Sequence, residues 1–345
     1  MTECAPGIYE ITLYDRTNSV NEIHIFLIPG QSGQRSLLID AGFQNQESLC
    51  ALEDALKKQG IAFWDLDVFL THKHHDHTGL ARILSDRGAR IFMNPEEDRH
   101  PYDCLYYSRS EKALDEQLRV LRTVGVTKEL TPSLWEDFMA LNKQLKKPGK
   151  KTLLGEKAFP SSPIKKDQLF CYGGYRFRAV PLRGHTFGQM GLCDREHAIL
   201  FSADQLIDGI VPIVATAYMN EHLLQMYFKS LSSFEEQYRG CTIYPSHNKP
   251  FKDASAIVET ILDAYYKKLD LIRHIIAFAS GPMTVMEVAF QAYGISPLPA
   301  PDRNNQIIKI KMILTKTFSC LEYLYDSGEC SRVSRDGILY WSREL

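Results

Sequence analysis

The chain has 345 residues, of which 44% are hydrophobic and 24% are charged, and its formal net charge is −2. This length can bury one large hydrophobic core or two ordinary ones, and so small a net charge excludes a broad electrostatic attraction to nucleic acid or to an anionic membrane. The 8 cysteines are scattered without a Cys-x-x-Cys pair, which is typical of reduced thiols and excludes a dense disulfide framework.

The N-terminal residues lack the basic and apolar segments of a signal peptide. No apolar run approaches the ~20 residues that a membrane-spanning helix needs. We therefore expect a cytoplasmic protein that has no membrane partner.

Residues 8–94 alternate between strand and helix patterns. Within them the apolar run 66–70 predicts a buried strand, which ends directly before Thr-His-Lys-His-His-Asp-His-Thr-Gly at residues 71–79. Imidazole and carboxylate groups bind divalent metal ions. This stretch packs four such side chains into six positions: His72, His74, Asp76 and His77. The sequence therefore indicates a metal site at a strand end.

Alternate side chains of an extended segment share one face, so His72 and His74 can bind one ion together. Asp76 and His77 lie on the turn that follows, where they can face a second ion. Two ions about 3.5–4 Å apart can hold a shared hydroxide as nucleophile and polarise a carbonyl or phosphoryl oxygen. A histidine-rich surface loop is the structural alternative. We expect His75, which lies between the ligands, to face solvent or to support them.

Helical patterns dominate residues 95–160. One apolar stripe ends before Gly125, and a second follows Ser133-x-x-Glu136, which fits a capping box. We expect a helical insertion whose aromatic side chains either line the site or pack the insertion onto the main domain. These aromatic candidates are Tyr106, Tyr107, Trp135 and Phe138.

The stretch at 71–79 resembles the Thr-His-x-His-x-Asp-His signature of the metallo-β-lactamase-fold superfamily, which contains glyoxalase II and many other hydrolases. Gly-His-Thr-Phe-Gly at 184–188 resembles a second motif of that family. The apolar strand pattern that ends in Ala203 and Asp204 resembles a third, and Pro-Ser-His-Asn at 245–248 resembles the family's Pro-Gly-His-Gly. The matches follow the family's order.

The resemblance implies two metal sites that share a carboxylate. The implied ligands are His72, His74 and His185 for the first ion, Asp76, His77 and His247 for the second, and Asp204 as the bridge. Asp40, in Ile-Asp-Ala-Gly, would lie beneath the site and position the ligand loop without binding metal. Ala203, Ser246 and Asn248 replace glycines of the family pattern, which we expect to alter the loops more than the metal chemistry.

The C-terminal region, 256–345, reads as helices followed by a hairpin. Thr284-x-x-Glu287 fits a capping box that opens one helix, and Asp336-Gly337 is a hairpin turn signal. This order resembles the winged-helix-type C-terminal domain of the lactamase-beta-2-like branch of the superfamily. Because its basic and acidic residues are about equally numerous, we expect a structural or substrate-shaping role more than nucleic-acid binding.

The resulting prediction is an α/β protein with a four-layer αββα metallo-β-lactamase sandwich. The catalytic domain takes residues 1–255, with a helical cap inserted at 95–160, and a small helical, winged-helix-like domain takes 256–345. The main functional hypothesis is a binuclear metal-dependent hydrolase of a small-molecule acyl compound, a thioester first, with a metal-bridging hydroxide as nucleophile. Asp76 or Asp204 would orient that nucleophile or accept its proton.

All the implied ligands are nitrogen and oxygen, so zinc is the default metal, with iron and manganese as alternatives. Tyr218 and His222 are candidates for substrate binding, with ordinary packing as the structural alternative. Three alternative functions use the same site: a single-strand RNA endonuclease, a lactone hydrolase, and a ligand-binding protein with low turnover. The complete ligand set argues against the last of these, and no β-CASP nuclease motif is found. The oligomeric state is left open.

Overall fold

The computed structural model describes residues 1–15, 22–31, 33–98, 111–145, 159–295 and 303–344. The aromatic candidates Tyr106 and Tyr107 lie outside the described residues. The chain divides into two compact units, each assembled from three segments. Unit 1 is Met1–Pro101, Leu154–Pro212 and Lys229–Glu259, and unit 2 is Tyr102–Leu153, Ile213–Phe228 and Thr260–Leu345.

Within the described chain, unit 1 contains two β-sheets, of seven and five strands. The first sheet runs in chain order through β1 (Thr2–Ala5), β2 (Ile8–Tyr14), β3 (Glu22–Ile28), β4 (Ser36–Ile39), β5 (Leu66–Leu70), β6 (Arg90–Met93) and β7 (Ser162–Pro163). The second sheet also has its strands side by side in chain order. They are β8 (Leu169–Tyr172), β9 (Tyr175–Pro181), β10 (Met190–Asp194), β11 (Ile199–Ala203) and β12 (Thr242–Pro245). Strands β4 to β7 pair in parallel, as do β11 and β12.

The described helices are α1 (Gln46–Lys58), α2 (His75–Thr78), α3 (Ala81–Asp86), α4 (Glu111–Thr123), α5 (Pro132–Leu145), α6 (Leu223–Tyr238), α7 (Ser255–Ala277), α8 (Val285–Tyr293) and α9 (Arg303–Asp326). Short 3-10 turns occupy Phe63–Asp65 and Pro95–Asp98. None of these helices combines the length and the apolar character that crossing a membrane requires.

Helix α1 connects β4 to β5, because a parallel strand pair needs a crossover. It begins where the Asn45 side chain accepts a hydrogen bond from the Ser48 amide at 2.7 Å, which satisfies one of the free N–H groups of the first turn. Its buried leucines join Val68 of β5 in one hydrophobic cluster, to which α3 also contributes. Helices α1 and α3 therefore cover one face of the first sheet.

Aromatic side chains join the other face of the first sheet to the second sheet. Successive strand residues point to opposite faces, so Phe69, next to Val68, faces the second sheet, and its ring centroid lies 5.3 Å from that of Phe170 in β8. Phe26 of β3 and Phe201 of β11 make a similar contact at 4.7 Å. Three layers of the predicted αββα sandwich are thus present in the predicted order: the helices α1 and α3, the first sheet and the second sheet. The outer helical layer on the second sheet stays a prediction.

Unit 2 contains β13 (Met283–Thr284), β14 (Cys330–Arg335) and β15 (Ile338–Arg343), which form an antiparallel sheet in the order β13-β15-β14. Asp336 and Gly337 connect β14 to β15 with φ of 51° and 78°, as a two-residue type I′ turn requires. The predicted hairpin is therefore confirmed. The helix and hairpin order is the one that a winged-helix-type region needs, but that assignment stays a prediction.

The insertion packs with the C-terminal region inside unit 2. Helix α4 ends before Gly125, whose φ is 90° and whose added Cβ would lie 2.6 Å from Cβ of Thr284. The Met286 amide donates to the Val124 carbonyl at 2.9 Å. Because these contacts join segments that are distant in sequence, the compact units do not follow a linear division at residue 255. The division into domains at that residue stays a prediction.

The predicted capping box at Ser133 is wrong. Helix α5 begins at Pro132, and the Trp135 amide donates to the Thr131 carbonyl at 2.9 Å, so Ser133 lies inside the first turn. Proline is well suited to a first helical position, because its missing N–H would have no partner there. The box predicted at Thr284 is confirmed, since the Thr284 and Glu287 side chains each bond the other residue's backbone amide.

We expect Thr284→Ala to lower the free energy of unfolding by about 1 kcal/mol, because the first turn of α8 loses its cap. Equilibrium denaturation in urea measures the change. Ser232→Ala removes an exposed hydroxyl from α6 and should change stability by less than about 0.5 kcal/mol. Equal effects of the two substitutions would contradict the capping role.

Candidate metal centre

The candidate ligands lie where strands of unit 1 end. His72 and His74 follow β5, and α2, which comes next, carries Asp76 and His77. His185 lies on the connection from β9 to β10. Asp204 follows β11, and His247 follows β12. Since β11 and β12 are parallel, their carboxyl ends share one edge of the second sheet, which places Asp204 and His247 side by side.

The first group consists of His72, His74, His185 and Asp204, whose ligand atoms all lie within 4.8 Å of one another. Nδ1 of His74 is 2.9 Å from Nε2 of His72 and 2.9 Å from Nε2 of His185. Nε2 of His185 is 3.5 Å from Oδ2 of Asp204. Three imidazole nitrogens and a carboxylate oxygen therefore converge on one point.

The second group consists of Asp76, His77 and His247, within the same 4.8 Å limit. Oδ2 of Asp76 lies 3.4 Å from Nε2 of His247 and 3.7 Å from Nε2 of His77. In the part of the chain that the structure describes, the two groups contain all seven predicted ligands.

Asp204 lies between the two groups. Its Oδ2 faces His185 and also His72, at 4.0 Å from Nε2. Its Oδ1 is 3.4 Å from Nε2 of His77 and 3.5 Å from Nε2 of His247. A carboxylate with one oxygen toward each group has the geometry of a bridging ligand.

Two buried atoms at this position fit a bound metal ion. Among the described residues, Nε2 of His77 and Oδ1 of Asp204 make no well-formed hydrogen bond, although they lie 3.4 Å from each other. A buried polar atom without a partner is destabilising and rare in folded proteins. Coordination of a cation would satisfy both atoms, so the residues present fit a metal.

Charge interactions favour the metal-binding form of four ligands and oppose it at two others. Burial lowers the pKa of His72 and His74, and the neighbouring imidazoles lower it further. Burial alone would raise the pKa of Asp76 and Asp204, but the adjacent His77 holds both below the usual range. The carboxylates are therefore anionic and these two imidazoles neutral at neutral pH, which is the form that binds a cation. Burial alone would lower the pKa of His77 and His247, but adjacent carboxylates raise both above the ordinary value, so a cation competes with a proton at these rings.

Two ligand rings are oriented by groups behind them. Nδ1 of His77 donates to Oδ2 of Asp40 at 2.7 Å, and Nδ1 of His247 donates to the Glu22 carbonyl at 2.6 Å. Asp40 also accepts from the Thr71 amide at 2.8 Å. Each ring therefore directs Nε2 at the centre. These are the contacts that the predicted positioning role of Asp40 requires.

The residues that replace family glycines show why glycine suits two of these positions. Ala203 has a φ of 49° and Asn248 a φ of 62°, both in the left-handed region that glycine adopts without steric conflict. Asparagine tolerates this conformation better than alanine does. For alanine the left-handed conformation costs about 1–2 kcal/mol of conformational energy. The left-handed Ala203 backbone directly precedes Asp204.

Glu97 is a residue of the site that the sequence did not reveal. Its buried carboxylate accepts hydrogen bonds from the Lys73 amide at 2.8 Å and from the Gly188 amide at 2.6 Å. Lys73 lies between His72 and His74. The only available signal was an acidic residue in the turn after β6, and such residues are common.

The structure does not bring three other candidates into either group. The His75 ring lies 6.2 Å from that of Phe43 and is half-buried, and its expected placement, facing solvent or supporting the ligands, stays a prediction. Tyr218 and His222 belong to unit 2, where the Arg119 guanidinium lies 4.6 Å from the Tyr218 ring and Nδ1 of His222 lies 2.6 Å from Oδ2 of Asp326. Their substrate-binding role stays a prediction.

The model of the metallo-beta-lactamase superfamily matches residues 23–249, about two thirds of the chain. The chain belongs to this superfamily. The probable metallo-hydrolase YqjP of Bacillus subtilis (strain 168) is 22% identical over 287 residues, which cover 80% of this chain and 82% of that protein. The expected metallo-hydrolase superfamily is therefore confirmed, and the histidine and aspartate groups are residues that could hold a metal ion.

Two crystal structures resemble this chain over almost its whole length. The metallo-beta-lactamase family protein TTHA1429 from Thermus thermophilus has a TM-score of 0.74, 22% identity and 99% coverage of both chains. A beta-lactamase domain protein from Burkholderia ambifaria has a TM-score of 0.76 and 20% identity, and the match covers 99% of this chain and 94% of that one. At these identities the likeness shows the fold alone.

Proposed function

We propose that the chain is a binuclear metal-dependent hydrolase of a small-molecule acyl compound, with a thioester as the first substrate to test. One observation carries the proposal: seven histidine and aspartate side chains form two groups that face each other across Asp204. Metal ions bound at both groups would acidify a water molecule and polarise the scissile carbonyl. The donor set is nitrogen and oxygen, which suits zinc first and iron or manganese next.

The aspartates then have roles that their positions support. Both are buried and anionic, so each can accept a hydrogen bond from a water molecule at the centre and orient it toward the substrate. Oδ2 of Asp76 lies between His77 and His247, whereas Asp204 faces both groups. Asp76 is therefore the better proton acceptor, and Asp204 the better bridge.

RNA cleavage by the same centre is the second candidate, and the lysines of α9 argue against it. Phosphate-binding helices present cations to solvent on one face. Of the lysines on α9, Lys311 is only 4% exposed, and burial lowers the pKa of Lys316. Lys309 is exposed. A single exposed lysine is a weak phosphate-binding face.

Several finer assignments form part of the same proposal. We place the chain near glyoxalase II and the lactamase-beta-2-like branch, and we assign α8, α9 and the hairpin to a winged-helix-type region. A cytoplasmic location and a small-molecule partner follow from the same hypothesis. Lactone hydrolysis and slow-turnover ligand binding are the alternatives that an assay of several substrates distinguishes.

The test is a side-by-side assay of a short acyl thioester, γ-butyrolactone and single-stranded oligouridine. Zinc-loaded protein, chelator-stripped protein and His74→Ala protein are compared. We expect thioester hydrolysis that disappears on chelation, returns with zinc and is absent from His74→Ala. RNA cleavage without thioester turnover would favour the nuclease, and undiminished turnover by stripped protein would contradict metal dependence.

A further inference from the structure

The carboxylate of Glu97 lies between the two segments that carry the histidines of the first group. Glu97 is on the 3-10 turn Pro95–Asp98, which follows β6. Strand β6 pairs in parallel with β5, so the carboxyl ends of the two strands are neighbours. This pairing brings the turn beside His72 and His74, which follow β5. Glu97 is only 3% exposed.

Each oxygen of Glu97 bonds a different ligand segment. Oε2 accepts from the amide of Lys73, between His72 and His74, at 2.8 Å. Oε1 accepts from the Gly188 amide at 2.6 Å and from Oγ1 of Thr186 at 2.8 Å. Thr186 directly follows His185. One carboxylate therefore ties together the segments that carry all three histidines of the first group.

A second contact fixes the same turn to the His185 segment. Nδ2 of Asn94 donates to the Gly188 carbonyl at 2.7 Å, and Oδ1 of Asn94 accepts from the Glu96 amide at 3.1 Å. An added Cβ at Gly188 would lie 2.8 Å from the backbone nitrogen of Glu97 and 2.9 Å from its Oε1. Glycine at 188 is therefore required for this close approach.

We propose that Glu97 is a positioning residue for the first metal group, which holds His74 and His185 at the separation that a bound divalent cation needs. The inference rests on the proposed function. Nδ1 of His74 and Nε2 of His185 are 2.9 Å apart. A backbone hydrogen bond from the Met190 amide to the Thr71 carbonyl, at 2.9 Å, joins the chain just before His72 to the chain just after Gly188. Removal of the shared carboxylate loosens the part of each segment that lies beyond this bond, so the cation must reorganise His74 and His185 on binding.

Glu97→Gln is the informative variant. The amide keeps the size of the carboxylate but has one acceptor oxygen, so its NH₂ group must face either the Lys73 amide or the donors of the His185 segment. Asp194→Asn is the matched control. Asp194 is a buried carboxylate of unit 1 that accepts from the backbone amides of Arg176 at 2.8 Å and His197 at 3.0 Å, away from the ligand segments.

Cobalt(II) titration of the full chain, followed by visible absorption and by competition with zinc, measures each group. The two groups are separated by repeating the titration in a His247→Ala background, which keeps the first group, and in a His185→Ala background, which keeps the second. We expect Glu97→Gln to weaken cobalt binding about 10- to 100-fold in the first background and to alter its spectrum. In the His185→Ala background, we expect Glu97→Gln to change cobalt affinity by less than about threefold. We expect the same small change for Asp194→Asn in both backgrounds.

Equal cobalt affinity and spectrum for wild type and Glu97→Gln would overturn the inference, whatever the loss of thermal stability. Failure of wild-type protein to bind cobalt would overturn the proposed function itself, so the two failures are distinguishable. Thr186→Val removes one donor to Glu97 and keeps the carboxylate. If Glu97→Gln does not fold, this milder variant takes its place, and we expect it to show a smaller loss of cobalt affinity in the His247→Ala background.

Discussion

Asp204→Ala is expected to lower kcat/KM by at least about 10³-fold. The substitution removes the side chain whose two oxygens lie 3.4 to 4.0 Å from imidazole nitrogens of both groups. Bound metal ions supply several kcal/mol of transition-state stabilisation, and each ~1.4 kcal/mol corresponds to a tenfold rate change. Loss of the shared carboxylate should therefore affect both ions at once.

The matched control is Asp208→Ala, four residues further along the chain. Asp208 is exposed, and its side chain belongs to neither metal group. Turnover and metal content are measured for both variants, and circular dichroism checks that the fold is kept. Folded Asp204→Ala protein with activity near that of wild type would refute the assigned role of this carboxylate.

Phe318→Ala should lower the free energy of unfolding by about 3–5 kcal/mol. Phe318 of α9 is completely buried, and its ring meets that of Trp341 edge-to-face at a centroid distance of 6.0 Å. The substitution leaves a cavity between α9 and the hairpin of unit 2 and removes an aromatic pair. Equilibrium denaturation in urea measures the loss.

Phe278→Ala is the control for this measurement, because the Phe278 side chain is 86% exposed. Exposed substitutions of this kind change stability by less than about 0.5 kcal/mol. A loss below about 1 kcal/mol for Phe318→Ala, on the scale of ordinary surface changes, would mean that α9 and the hairpin do not form a common core.

The metal-binding character of residues 71–79 could be predicted because four candidate ligands are contiguous with a strand end. His185, Asp204 and His247 are scattered along the chain, and only the resemblance of short motifs to those of the superfamily marked them as ligands. The capping box at Thr284 and the turn at Asp336-Gly337 were predictable because each is local as well. In each case, neighbouring residues satisfy one another's backbone groups.

The parts that sequence reasoning missed depend on distant contacts. Glu97 bonds residues 24 and 89 positions away, so no local pattern marks it. The packing of the insertion with the C-terminal region is equally non-local, because Val124 and Met286 come together only in the folded chain. The left-handed backbone at Ala203 was hidden for another reason, since alanine rarely adopts that conformation.

The number of zinc ions that each chain binds tests the central claim most directly. Chelator-stripped protein is dialysed to equilibrium against buffered zinc, beside Asp204→Ala and Asp208→Ala. The two groups of side chains predict two zinc ions per chain for wild type and for Asp208→Ala, and fewer than two for Asp204→Ala. Wild-type protein that retains no more zinc than Asp204→Ala would contradict a binuclear centre at these residues.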